Sequence, residues 1–111
     1  MTLAMRTIEG SYSGGAGAPG AVEVEIAQAR FPDLRVMRAE VALAGFDAEF
    51  TDGDHHLLEI VVQPGVPIVE NGPAGAIVRL RGRLGLRGNG EFAQPYRVRV
   101  RCLLLTDVEP L

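Results

Sequence analysis

The chain contains no tryptophan and no lysine, a single cysteine, and six aromatic residues in 111. Each shortage excludes something. One cysteine cannot form an intrachain disulfide, and Cys102, set among apolar neighbours, reads as a small buried hydrophobe and not as a reactive thiol. No stretch approaches the roughly 20 apolar residues that a membrane-spanning helix needs. Met1 to Ile8 holds no apolar run of the length found in a secretory signal, so a cytoplasmic location is expected. The only histidines are the adjacent pair His55 and His56. The glycines of the segment 14–20 follow neither GxxxxGK[ST] nor GxGxxG, which argues for a surface loop and against a phosphate cradle.

What is present is apolar, and its alternation is regular. Hydrophobic residues make up 47% of the chain, enough for one domain with its own core. All eleven basic residues are arginine; with the abundant Gly, Ala, Leu and Val this reads as a GC-rich bacterial coding sequence. The formal net charge of −3 hides a division. Residues 1–76 carry four arginines against eleven acids, residues 77–105 carry seven arginines against Glu91, and Asp107 and Glu109 follow. Such a chain pairs its charges internally, pairs them between subunits, or offers the basic part to an anion. Nucleic acid is a poor candidate for that anion, because the chain is acidic overall and its arginines are not interleaved with exposed stacking aromatics.

Alternation with period two predicts strands throughout. Thr7 to Ser13 is a first strand. Ala21 to Ala27 alternates Val22, Val24 and Ile26 with Glu23 and Glu25, and Phe31-Pro32-Asp33 ends the run. Arg35 to Phe46 reads as a strand, with a short helix over 34–43 as the alternative, because alanine and arginine suit helices. Leu57 to Val62 is a β-branched run, and Asp52-Gly53 before it predicts a hairpin turn. A short edge strand is expected at Ile68 and Val69. Val78, Leu80, Leu84 and Leu86 then alternate with Arg79, Arg81 and Arg83, and Tyr96, Val98, Val100, Cys102 and Leu104 alternate with Arg97, Arg99 and Arg101. These last two runs read as one hairpin with an arginine face. The sum is an all-β, antiparallel β-sandwich of six to seven strands. Its expected core is Val22, Val24, Ile26, Leu43, Ile60, Val62, Leu80, Leu84, Val98, Val100 and Leu104.

Candidate chemistry is sparse. In T-D-G-D-H-H, Asp52, Asp54, His55 and His56 are metal-ligand types, but adjacent histidines on a strand point apart. Turn chemistry is therefore the expected role, with no metal and no cofactor, and Asp54 and His55 are kept as ligand-contact candidates. Ser11 and Ser13 lack the context of a nucleophile elbow, and an enzyme is not expected. In a hairpin Arg81 and Arg83 would face Arg99 and Arg101, and opposed like charges need neutralising. Glu23, Glu25, Glu40 or Glu59 from adjacent strands, or acids of a neighbouring subunit, would supply that. An exposed anion site is the alternative.

The order of segments, V-A-L-A-G-F-D from Val41, an acidic turn, L-L-E-I-V-V-Q, the strand around Leu80 to Leu86, a polar loop and Y-R-V-R-V-R-C-L-L-L, resembles the H-type lectin domain. The resemblance covers residues 31–106 and rests on strand order with Gly45, Phe46, Asp47 and Tyr96. It implies a small β-sandwich assembled as a homo-oligomer, trimer or hexamer, with sugar held in clefts between protomers. The loop before the last strand would then carry the ligand contacts Arg87, Asn89, Glu91 and Phe92. The segregated charge makes Arg81, Arg83, Arg99 and Arg101 the candidates for the subunit interface. With no tryptophan to form a sugar platform, the alternative is a structural assembly module of a larger bacterial or phage-derived particle.

Overall fold

The computed structural model describes residues 2–15, 21–53, 55–88 and 94–111. Seven strands form: β1 (Thr2–Gly14), β2 (Val22–Pro32), β3 (Leu34–Phe50), β4 (Leu57–Pro64), β5 (Ile68–Gly72), β6 (Gly75–Gly88) and β7 (Tyr96–Pro110). They make two antiparallel sheets, β1-β7-β3 and β2-β6-β4, with β5 continuing along the β4 edge of β6. The expected all-β sandwich is present, and the segment 34–43 is strand. Among the described residues no helix is long and apolar enough to cross a membrane.

Strand length sets the shape. A strand of 17 residues extends about 55 Å at roughly 3.3 Å per residue, and the molecule measures 53 × 22 × 17 Å. Its radius of gyration of 16.4 Å exceeds the ~13 Å of a compact domain of this length.

The core lies between β6 and β7. Val78, Leu80 and Leu84 of β6 and Val98, Val100, Cys102 and Leu104 of β7 are fully buried, because the alternation points each set inward. Burial also pushes the Cys102 thiol up from its ordinary range. These two strands are not a hairpin. Each is the centre of its own sheet, β7 between β1 and β3 and β6 between β2 and the β4/β5 edge. Side-by-side pairing would set arginine opposite arginine. Face-to-face stacking buries the same aliphatics and sends the two arginine rows to opposite outer surfaces.

The Asp52-Gly53 hairpin is likewise replaced. Gly53 has the positive φ of a tight turn, but the turn carries the chain from β3 in one sheet to β4 in the other. The hairpin that does form joins β5 to β6 through Pro73-Ala74, with Gly72 paired to Gly75.

The two sides of the sandwich close differently. On the β1/β2 side, Gly10 lies so near β2 that a Cβ there would sit 1.7 Å from the Ile26 carbonyl oxygen. Nearby, Arg6 Nη1 donates to the Arg30 carbonyl at 2.9 Å, and its guanidinium lies 4.4 Å over the Phe31 ring, a cation–π contact. Where β3 meets β5, Asn71 Oδ1 accepts from Val36 N and Asn71 Nδ2 donates to Val36 O, both at 2.9 Å. One amide thus satisfies both backbone groups of a residue beside the β-bulge between Val36 and Arg38. Asn71→Ala leaves both groups without their protein partner and is expected to cost about 1–3 kcal/mol, read as a lower urea midpoint with an unchanged m-value.

Between β3 and β4 no such closure exists among the described residues. Leu43 and Phe46 stand opposite Cys102 and Val100, and Ile60 stands opposite Leu86, so all three occupy the inner faces of their sheets. Yet they are 41%, 49% and 36% exposed. Leu43 and Ile60, expected in the core, are correctly faced but lie on edge strands at the open side. Ile26, Leu80, Leu84, Val98, Val100 and Leu104 are buried, and Val24 and Val62 pack against them partly exposed. Val22 is half-buried.

Candidate functional site

Seven arginines point outward from the two central strands. On the β6 surface acids stand opposite them in the register. Glu23 stands opposite Arg83, Glu25 opposite Arg81 and Glu59 opposite Arg87. Arg79 forms ion pairs with Glu25 at 3.2 Å and Glu70 at 3.1 Å. Hydrogen bonds from Gln28 and from Arg79 hold the Glu25 carboxyl below its ordinary range. Arg79 alone closes the expected cross-strand pairing within the chain; Arg81, Arg83 and Arg87 form no ion pair among the described residues. Glu40 takes no part in that cross-strand pairing, meeting Arg38 instead at 3.0 Å.

The β7 surface carries its own arginine row. Arg97, Arg99 and Arg101 follow one another along the centre of the sheet, with Ser13, Ser11 and Glu9 opposite them on β1. On the other side stand Glu49, Asp47 and Gly45 of β3. Small residues beside long ones leave a trough of about 540 Å³, walled by Glu9, Ser11, Asp47, Arg97, Arg99 and Arg101. Arg97 Nη2 bonds Glu49 Oε1, but its Nε is buried with no hydrogen-bond partner among the described residues. Arg99 reaches Asp47 only at 3.9 Å. Arg101 forms no ion pair among the described residues. Its guanidinium lies over Gly45, where a Cβ would meet Nη2 at 3.1 Å. The trough therefore holds guanidinium donors that the chain leaves incompletely used.

The residues singled out from the sequence do not converge. Arg81 and Arg83 lie on the opposite outer surface from Arg99 and Arg101, so the four are not one interface; stacking of β6 on β7 separates them. Arg87 is exposed at the end of β6. Asn89, Glu91, Phe92 and Asp54 lie outside the described residues. His55 Nε2 is 2.8 Å from Asp52 Oδ1, and its ring meets Phe50 edge-on with centroids 5.0 Å apart. These contacts give the half-buried His55 a structural anchorage in the turn. Among the described residues no three His, Cys, Asp or Glu side chains gather as a metal site. Ser11 and Ser13 stand on a regular strand opposite Arg99 and Arg97.

Glu9, Ser11 and Arg97 went unrecognised as trough residues. Their outward alternation was readable, but their meeting depends on pairing of the first strand with the last. Comparison with protein-family models, with curated proteins and with solved structures finds no match for this chain.

Proposed function

We propose that the protein is a non-catalytic binding module that works as a homo-oligomer, in the manner implied by its resemblance to the H-type lectin domain, and that recognises carbohydrate or another acidic ligand. One observation carries the oligomeric part. Leu43, Phe46 and Ile60 face inward along an open side of the sandwich, where no part of the described chain covers them. A second copy of the chain completes that core.

The extended shape enlarges the surface. The accessible surface is 6705 Å², about 750 Å² more than a compact folded monomer of this mass exposes. A standard interface removes roughly 800 Å² per partner. The arginines lie on the outer surfaces of the sandwich, away from that open side.

Sedimentation is expected to give a multiple of the 11.9 kDa chain mass. The double variant Leu43→Glu, Ile60→Glu is expected to sediment as a monomer with an unchanged circular dichroism spectrum, because both side chains can reach water. Arg81→Glu should leave the mass of the assembly unaltered. A wild-type protein that stays monomeric at high micromolar concentration would sink the oligomer. A structural assembly module shares the open side but takes no small ligand, and a glycan array separates the two: saturable binding favours the first reading, silence the second.

A further inference from the structure

We infer that the trough on the outer surface of the β1-β7-β3 sheet is a recognition site for an acidic sugar, its carboxylate held by Arg99 and Arg101 and its hydroxyls by Glu9, Asp47 and Ser11. The inference rests on the binding-module reading and names that module's ligand class. It requires only one chain, because every wall of the trough belongs to the same sheet.

Spacing comes first. Arg99 and Arg101 are two residues apart on one face of a strand, so their stems rise about 7 Å apart. Two long side chains at that distance can close on one carboxylate, and a guanidinium offers it a planar, two-pronged set of donors. Neither is consumed within the chain. Arg99 holds Asp47 at 3.9 Å, beyond a good hydrogen bond, and Arg101 has no ion pair among the described residues. Gly45 lets Arg101 lie flat across the strand instead of standing away from it.

The acids decide what kind of anion fits. Glu9 and Asp47 at the walls and Glu49 beside Arg97 balance the three arginines, so the trough is no electrostatic sink for polyanions. Inorganic phosphate or sulfate brings more charge to those carboxylates than a single sugar carboxylate does, and no ring of hydroxyls to donate to them. A sugar acid brings one negative group for the guanidinium pair and a ring of hydroxyls that donate to Glu9 and Asp47 and exchange hydrogen bonds with Ser11. Donors and acceptors set side by side, in a space of about 540 Å³, match a ligand of that mixed character.

Isothermal titration with a glucuronyl disaccharide, the matching glucosyl disaccharide and sodium sulfate tests the assignment. The glucuronyl compound is expected to bind saturably and the glucosyl one at least tenfold more weakly. Arg99→Ala and Arg101→Ala should each weaken glucuronyl binding by roughly tenfold or more, the size of a lost charge-assisted hydrogen bond. Glu9→Gln should weaken it while leaving the protein folded. Equal binding of the two disaccharides, or wild-type affinity in both arginine variants, would overturn the site. Sulfate competing as well as the glucuronyl compound would reduce it to a plain anion contact and overturn the sugar assignment. The monomeric Leu43→Glu, Ile60→Glu protein should bind as wild type does, so failure of the assembly and failure of the trough are read separately.

Discussion

Val100→Asp is expected to abolish soluble expression. Val100 is 1% exposed at the middle of the central strand β7, between Gly10 on β1 and Phe46 on β3. The substitution removes an aliphatic side chain whose burial contributes roughly 1.5–3 kcal/mol. It also places a carboxylate among aliphatics, where an unpaired charge costs several kcal/mol more. Together these approach the ~5–15 kcal/mol by which a domain is stable. Leu104→Ala on the same face is a graded companion: deleting a fully buried leucine side chain costs about 2–5 kcal/mol and should lower Tm by more than about 10 °C. A soluble Val100→Asp protein with a wild-type spectrum would mean that β7 presents its other face to the core.

Gly10→Ala is the second large effect, and it acts through backbone. The added Cβ would fall 1.7 Å from the Ile26 carbonyl oxygen, and Ile26 sits at the bulge where β2 shifts register between Glu25 and Ala27. No side chain can rotate away to make room. The two edge strands must part, which breaks the closed side of the sandwich. The loss should reach or exceed the roughly 1–3 kcal/mol of an overpacked core. Gly72→Ala is the control: the nearest atom to its Cβ is 3.4 Å away, and its denaturation midpoint should barely move. Equal midpoints for the two variants would show that β1 and β2 do not meet as described.

The open side between β3 and β4 gives both results a common background. Its neighbours are held by specific polar devices, Arg6 over Phe31 at one place and Asn71 on Val36 at another, while Leu43, Phe46 and Ile60 have none among the described residues. The sandwich is closed between β1 and β2 and where β3 meets β5, and apolar and exposed between β3 and β4. Loss of core packing at Val100 or of edge closure at Gly10 should therefore release the proposed assembly as well as the fold.

Much of the architecture was legible from alternation. Val98 to Leu104 and Val78 to Leu84 announce strands with one buried face, and the structure buries those residues. The same rule placed Leu43 and Ile60 on inner faces correctly, yet predicted burial they do not have, because facing is local and coverage is not. The trough was less legible. Arg99 and Arg101 were visible as outward arginines, whereas Glu9 and Ser11 lie about ninety positions earlier and join them only through pairing of β1 with β7.

The amino-acid sequence alone determined where the strands run and which way each side chain points, because a strand turns its residues to opposite faces every second position. It also determined that arginines would lie outside and aliphatics inside. Which strand pairs with which was decided only by tertiary structure. Two strands with one apolar face each can bury it side by side in one sheet or face to face across a core, and their alternation is identical in both. Stacking β6 on β7 keeps like charges apart and brings each row its own acids. That long-range choice turned one expected arginine surface into two, one on each outer face of the sandwich.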